Sequence, residues 1–303
     1  MATLNEWLEG ARLRTLPAAA APVLVGASAA GYLGAFSVGK SLLALGVALS
    51  LQIGVNLAND YSDGVRGTDR NRVGPTRLTA SGAVSAKKVV TSAWGMFGLA
   101  ALLGLILAEW SGHWWLLLLG VAAILAAWFY TGGTRPYGYL GWGLSEVAVF
   151  VFFGLVATVG TTYVQTSHLP WWLWVAGSGI GLISISLLMV NNIRDIRTDA
   201  LVGKRTLAVR MGDRRARWAY AAFVVLGIAA GVVALAASSV AGWWVAIPVL
   251  ALASLPGLWG MLSGASGRKL LSTLRATGLL ALAYGVVFAI ILGVGAHSAP
   301  AAL

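Results

Sequence analysis

The sequence contains no cysteine and few charged residues. Without cysteine, disulfide bonds, thiolate nucleophiles and Cys-based zinc sites are excluded. The histidines His113, His168 and His297 lie far apart, and none has the i, i+4 spacing of a helical zinc pair. Only 10% of the 303 residues are charged, whereas 58% are hydrophobic. This composition lies outside the range of soluble proteins and indicates a membrane protein.

Long apolar runs recur along the whole chain, and the mean hydropathy is +0.81. Only helices and closed barrels satisfy their backbone in lipid, so each run near the ~20 residues that cross a bilayer predicts a helix. The predicted fold is all-α: a polytopic membrane protein with about nine transmembrane helices in a single domain (1–303), bundled around a central cavity open to the cytoplasmic side. The runs lie at roughly 16–35, 41–60, 88–108, 114–130, 143–163, 170–192, 218–237, 241–262 and 273–296.

Basic residues predict the orientation of these helices. If the N-terminus is cytoplasmic, Lys40 is alone on the outer side among the 21 Lys and Arg residues. The positive-inside rule and attraction to anionic lipid therefore account for most of the net charge of +11. No basic stretch carries a nucleic-acid-binding motif, so a nucleic-acid partner is not expected. We expect a multi-pass protein of the cell membrane whose first helix is retained and whose active-site loops are cytoplasmic.

Two short stretches, 56–69 and 191–199, hold five of the ten carboxylates. Acids at the rim of a hydrocarbon phase are costly, so they are candidates for function. Both stretches end helices predicted to run inward, so the two clusters can meet at the cytoplasmic rim. On a helix, each cluster forms one stripe. The first stripe is Asn56, Asn59, Asp60 and Asp63, and the second is Asn192, Asp195 and Asp199.

These stripes predict a metal site. Carboxylates at helix C-termini face the negative end of the helix dipole, so a cation should accompany them. Ligand sets of carboxylate and amide oxygens, without His or Cys, suit Mg²⁺ or Mn²⁺. Asp213, in the second loop but off the stripe, is predicted to be a solvated charge.

Basic loops follow both stripes and predict a diphosphate site. Guanidinium groups match phosphate oxygens, although positive-inside bias alone places many cations here. Arg77 and Arg205 are the strongest candidates among Arg70, Arg72, Arg77, Lys204, Arg205 and Arg210.

The third inner loop, 130–146, predicts a Gly-rich re-entrant turn that lines the cavity. Glu146 lies about one turn inside the next helix, where an acid is expensive. Either a substrate-facing role or interfacial snorkelling and helix–helix bonding explains it.

The chain resembles the UbiA superfamily of intramembrane aromatic prenyltransferases. It is most similar to the MenA-type branch, the 1,4-dihydroxy-2-naphthoate polyprenyltransferases. The resemblance is carried by 10–17, 56–78, 130–141, 150–165 and 191–212.

The superfamily motifs match with one departure. In the first motif, Asn-x3-Asp-x3-Asp, Asn59 and Asp63 match, but the third position is Gly67 and Asp69 follows two residues later. The MenA-type branch shares this displacement, which leaves open whether Asp69 or Asp60 completes the first metal site. The second motif, Asp-x3-Asp, matches at Asp195 and Asp199.

The resemblance implies transfer of a polyprenyl group from its diphosphate to 1,4-dihydroxy-2-naphthoate with Mg²⁺ or Mn²⁺, with loss of carbon dioxide and pyrophosphate. The alternatives are another aromatic acceptor such as 4-hydroxybenzoate, an ion-coupled transporter or a CDP-alcohol phosphotransferase. The expected residues are Asp63, Glu146, Asp195 and Asp199 in catalysis; Arg77, Arg135, Lys204 and Arg205 for the diphosphate; Asn56, Tyr130, Tyr137 and Asn192 for substrate; and Asn59, Asp60, Asp63, Asp69, Asp195 and Asp199 for metal.

Overall fold

A computed structural model describes residues 3–69 and 77–298. The described residues form helices joined by turns and loops, without a β-strand, which confirms the predicted all-α class. Arg70 and Arg72, two of the predicted phosphate ligands, lie outside the described residues.

Thirteen α-helices follow one another along the described chain. A π-helical segment, Phe150–Val156, joins the sixth to the seventh and makes one long rod of the three pieces. The helices are α1 (Leu4–Ala11), α2 (Leu16–Tyr32), α3 (Val38–Arg66), α4 (Ala86–Ser111), α5 (Leu116–Thr131), α6 (Leu144–Val149), α7 (Ala157–Thr166), α8 (Trp171–Arg194), α9 (Ile196–Leu201), α10 (Leu207–Met211), α11 (Asp213–Ala237), α12 (Ala246–Leu262) and α13 (Leu270–Ser298).

Seven helical segments of the described chain are long and apolar enough to cross a membrane. The number rises to eight if α1 and α2, which are bent at the break between them, count as one span. The 16-residue α5 is apolar but shorter than these. Each of the nine apolar runs overlaps a helix. That all nine cross the membrane remains a prediction. Large apolar side chains cover the outer surface, for example Leu118, Leu252 and Trp259, which are 73%, 67% and 78% exposed.

The helix α8 is the most buried of these segments and organises the core. Its Gly181 meets Gly154 of the π-helical segment so closely that a Cβ on Gly154 would lie 2.6 Å from the Cα of Gly181. Glycine at both positions therefore lets the two backbones cross in direct contact. The helix α8 packs mainly on α11, and α3 packs mainly on α4. Each motif-bearing helix thus packs on the next long helix along the chain.

Both acidic stripes lie at the ends of long helices. The first lies wholly on α3, which ends at Gly67 in a left-handed conformation with φ 76°. The second crosses a break, since α8 ends at Arg194, Asp195 caps it and Asp199 belongs to α9. Helical hydrogen bonding continues across the break, from Asp195 N to Asn191 O (3.1 Å) and from Asp199 N to Asp195 O (2.8 Å). The predicted spacing of the second stripe is therefore kept.

Candidate active site

A cavity of about 700 Å³ opens between α2, α3, α4, α5, the π-helical segment and α8. One part of its wall is polar and includes residues of both acidic stripes, while the remainder is apolar, with residues such as Leu105, Leu119 and Phe153. Sites of this kind, mostly apolar with a few convergent polar groups, bind small molecules. The predicted site residues that line it are Asn56, Asn59, Asp63, Arg77, Tyr130, Tyr137, Asn192, Asp195 and Lys204.

Lys204 brings the two acidic motifs together. Its ammonium lies 3.8 Å from Asp63 Oδ2 and 3.8 Å from Asp199 Oδ1. The carboxylates of Asp63 and Asp199 are both buried. Two buried acids are therefore held near one cation, and one acid comes from each motif.

The other residues of the stripes have partners of their own. Asp195 is buried and forms a bidentate ion pair with the neighbouring Arg194, at 2.8 and 2.7 Å. Asn59 Oδ1 accepts a hydrogen bond of 2.7 Å from the hydroxyl of Thr131. This contact ties α3 to the end of α5, so the first motif and the loop 130–146 are placed together.

Asp60 anchors the Leu78–Thr79 backbone to α3. It is fully buried, and its two carboxylate oxygens accept hydrogen bonds from the backbone N–H groups of Leu78 (2.9 Å) and Thr79 (2.8 Å). The adjacent Arg77 lines the cavity and pairs with Asp69 at 3.1 Å. Asp60 and Asp69, the two candidates for completing the first metal site, therefore both contact the Arg77–Thr79 segment.

The loop 130–146 contacts the acids. Tyr139 donates a 2.7 Å hydrogen bond to Asp63 Oδ1, and Arg205 N donates to Tyr139 O at 3.0 Å. Burial, and then the Asp63 carboxylate, raise the pKa of Tyr139 above its ordinary value. Tyr139 is therefore a protonated donor at neutral pH. Gly141 has φ 65° and lies against the carbonyl oxygen of Arg205, where a Cβ would not fit.

Two further tyrosines of this region, Tyr130 and Tyr137, form part of the cavity wall. Their rings meet edge to face with centroids 5.6 Å apart. The hydroxyl of Tyr137 donates to the carbonyl of Ala126 at 2.9 Å, and burial raises the pKa of Tyr137 to about 12. Both rings therefore form an aromatic part of the cavity wall.

Six predicted site residues are not among those that line the cavity: Asp60, Asp69, Arg135, Glu146, Asp199 and Arg205. Arg135 and Arg205 are exposed and are not among the residues that line it. Glu146 is buried beside Ser145, which does line the cavity, and its Oε1 has no hydrogen-bond partner among the described residues. The candidate diphosphate ligands therefore differ in position. Arg77 and Lys204 line the cavity. Arg205 does not, and its backbone N–H donates a hydrogen bond to Tyr139 O.

Residues that the sequence did not single out also shape the site. Arg66, in the last turn of α3, donates to the carbonyls of Thr131 and Gly133, and its guanidinium carbon lies 5.4 Å from the ring centre of Tyr139. Arg12 lines the cavity. Arg66 follows Asp63 by three residues, one turn along α3, and that spacing could have identified it.

The donor set fits a divalent cation shared between two half-sites. No group of three or more His, Cys, Asp or Glu side chains that could hold a metal occurs within residues 3–69 and 77–298. Mg²⁺ usually takes one or two carboxylates and completes its shell with water and substrate phosphate, so it needs no such group. Lys204 already places a positive charge between one carboxylate of each motif.

Solved structures share this fold. A UbiA homolog from Archaeoglobus fulgidus, bound to GPP and Mg²⁺, is 15% identical, with a TM-score of 0.64 over 94% of this chain and 100% of the homolog. A UbiA homolog from Aeropyrum pernix K1 is 16% identical, with a TM-score of 0.66 over 97% of this chain and 99% of the homolog. At this level of identity the likeness establishes the helical architecture alone.

Sequence relatives are much closer. The 1,4-dihydroxy-2-naphthoate octaprenyltransferase of Mycobacterium tuberculosis is 46% identical over 95% of this chain and 97% of its own length. The protein of the same name in Escherichia coli is 37% identical over 84% of this chain and 79% of its own. The sequence model of the UbiA prenyltransferase family matches residues 19–270. This chain is therefore a member of the UbiA prenyltransferase family.

Proposed function

We propose that this protein transfers a polyprenyl group from polyprenyl diphosphate to 1,4-dihydroxy-2-naphthoate, releasing pyrophosphate and carbon dioxide and forming demethylmenaquinol. One observation carries the proposal: a single cavity joins two facing acidic motifs to a long apolar wall. The 46% identity to the mycobacterial 1,4-dihydroxy-2-naphthoate octaprenyltransferase supports the same reaction. In this proposal the whole chain forms one catalytic domain.

The two parts of the wall suit the two parts of the prenyl donor. Arg77 and Lys204 line the polar part, where their charges would bind diphosphate oxygens. Apolar side chains of α4 and α5 would cover the isoprenoid tail, which already partitions into the bilayer. Arg135 and Arg205, being exposed, would help to attract the diphosphate from the cytoplasm.

We propose that Mg²⁺ or Mn²⁺ binds between the motifs, with Asn59 and Asp63 on one side and Asp195 and Asp199 on the other. When bound, the metal would stabilise negative charge on the leaving diphosphate. Asp60 is better suited to hold the Arg77 segment, since both of its oxygens accept backbone hydrogen bonds. Asp69 would orient Arg77 through their ion pair.

The protein's own side chains would do the remaining work. Arg77 and Lys204 would neutralise charge as the bond between carbon and diphosphate oxygen breaks. The faces of Tyr130, Phe152 and Phe153, which line the cavity, would shelter the allylic cation from water. The electron-rich ring of the acceptor would then attack that carbon. Asn56 and Asn192 provide polar contacts for the substrates, and Glu146 is a proposed catalytic acid beside the cavity.

Product analysis tests this reaction. Membranes containing the protein, incubated with 1,4-dihydroxy-2-naphthoate, a polyprenyl diphosphate and Mg²⁺, should yield demethylmenaquinone by mass spectrometry after air oxidation. The same membranes given 4-hydroxybenzoate should yield little prenylated product. Preferential prenylation of 4-hydroxybenzoate, or no prenylated naphthoquinone above vector-only membranes, would contradict the proposal.

We also propose that the N-terminus and the loops carrying the acids face the cytoplasm of a cell membrane. Val38, at the start of α3, is 60% exposed, and Arg214, at the start of α11, is exposed. Because the protein has no native cysteine, a single introduced thiol reports one position. Val38→Cys should react with an impermeant maleimide in intact cells, whereas Arg214→Cys should react only after permeabilisation. The reverse pattern would invert the orientation.

A further inference from the structure

A second groove lies on the outside of the helix bundle, between the start of α2 and the start of α13. It has a volume of about 520 Å³ and is lined by Pro17, Leu271, Ser272, Arg275, Gly278 and Leu279. None of these residues lines the cavity of the candidate active site. Further along the same helix pair, a Cβ on Gly285 would lie 2.9 Å from the carbonyl oxygen of Ala21. The two helices therefore close together beyond the groove, which is separate from the cavity.

Helix length places this groove at the level of the lipid headgroups. The helical segment that contains α13, Gly267–Ala296, has 30 residues and is about 45 Å long at 1.5 Å per residue. The hydrocarbon core of a bilayer is only about 30 Å thick, so turns of this segment must extend beyond it. Its basic residues, Arg268, Lys269 and Arg275, all lie in the first three turns. This end of the segment therefore lies in the headgroup layer, which in the proposed orientation belongs to the inner leaflet.

The three cations at this end have no acidic partner in the protein. Arg268, Lys269 and Arg275 are exposed, and none of their side chains forms an ion pair or a hydrogen bond within residues 3–69 and 77–298. By contrast, Arg217 at the start of α11 pairs with Asp213. Arg275 lines the groove, and a guanidinium fork matches phosphate oxygens. The groove therefore offers positive charge to an anion from outside the protein.

An apolar stripe continues from the groove along the outer face of α13. Leu279, Val286 and Ile290 are all exposed. They follow Arg275 at successive spacings of four, seven and four residues, which place all four side chains on one face of the helix. A soluble anion would contact only the cations, whereas a phospholipid can also lay an acyl chain along the stripe. The arrangement therefore suits a lipid better than a free anion.

We propose that this groove binds an anionic phospholipid, with the phosphate at Arg275 and Arg268 and one acyl chain against Leu279 and Ile290. Basic pockets between transmembrane helices on the cytoplasmic side bind anionic headgroups. A zwitterionic headgroup has no net charge and gains less from the same cations. The site does not depend on which acceptor the enzyme prenylates, because the groove and the cavity share no lining residue.

Native mass spectrometry of the purified full-length protein in neutral detergent tests the site. Dioleoyl phosphatidylglycerol should bind at least about tenfold more tightly than dioleoyl phosphatidylcholine, because two cations face a net negative headgroup. Arg275→Gln should weaken phosphatidylglycerol binding about fivefold, the value of one cation, and leave phosphatidylcholine binding unchanged. Arg214→Gln is the matched control, since Arg214 is exposed at the start of α11 and does not line the groove. It should keep the wild-type affinity for both lipids.

Cross-linking locates the bound lipid. Phosphatidylglycerol with a diazirine in its acyl chain should label the α13 peptide around Leu279, and Arg275→Gln should reduce that labelling. Glycerophosphoglycerol, the headgroup without acyl chains, should not displace the lipid. Equal affinity for the two lipids, unchanged binding in Arg275→Gln or an equal loss in Arg214→Gln would overturn the proposal. Labelling confined to α3, α4 and α5 would place the lipid in the cavity instead, and displacement by glycerophosphoglycerol would show a site for soluble anions; either result would also overturn it.

Discussion

Asp63→Asn and Asp195→Asn should each lower turnover by roughly 100-fold or more, which corresponds to about 3 kcal/mol of lost transition-state stabilisation. Asparagine keeps the shape of aspartate, and at position 63 its oxygen can still accept from Tyr139. What disappears is one negative charge, which faces Lys204 at position 63 and Arg194 at position 195. Initial rates in membranes, normalised to the amount of inserted protein, would measure the effect.

The control for these variants must be an acid outside the two stripes that does not line the cavity. The sequence suggested Asp213 as a solvated charge, and its side chain is 57% exposed. However, Asp213 pairs at 2.7 Å with Arg217, which also donates to the carbonyl of Met261. Glu109, exposed near the end of α4, is therefore the better choice, and Glu109→Gln should keep wild-type turnover. Near-normal turnover in inserted Asp63→Asn and Asp195→Asn would rule out the two-motif diphosphate mechanism.

Removal of divalent metal should abolish activity. Membranes washed with excess EDTA should form no detectable demethylmenaquinone, because Lys204 alone does not offset the negative charges of the acidic half-sites and the diphosphate. Added Mg²⁺ or Mn²⁺ should restore the rate, because oxygen-only ligands suit both ions. EDTA saturated with Mg²⁺ before addition serves as the control and should not inhibit. Full activity in metal-free EDTA would show that Lys204 and the arginines suffice for the diphosphate.

The sequence alone determined the class of protein, the positions of its helices and the two acidic stripes. These features depend on local patterns: apolar runs of bilayer length predict helices, and spacings of three, four and seven residues place Asn56, Asn59 and Asp63 on one face of α3. The motifs also carried the family resemblance. Local patterns do not specify how one helix is rotated against another.

Tertiary structure decided which of these residues meet. Lys204 contacts both Asp63 and Asp199 because the loop after α9 lies against the end of α3. Asp63 and Asp199 are 136 residues apart in sequence. The same packing leaves Arg205 exposed next to Lys204. The positive-inside rule could not predict which of Lys204 and Arg205 lines the cavity, because both are basic residues of the same loop.

The contacts of Asp60 and the position of Arg12 are also visible only in the tertiary structure. Asp60 lies beside Asn59 in a motif-like stretch, but its partners are the backbone N–H groups of Leu78 and Thr79, which no side-chain pattern encodes. In the sequence, Arg12 cannot be distinguished from the other basic residues near helix ends. Only the structure shows its left-handed backbone and its place on the cavity wall. Both depend on contacts between distant segments. Such contacts form only when helices pack closely, as they do where Gly154 meets Gly181.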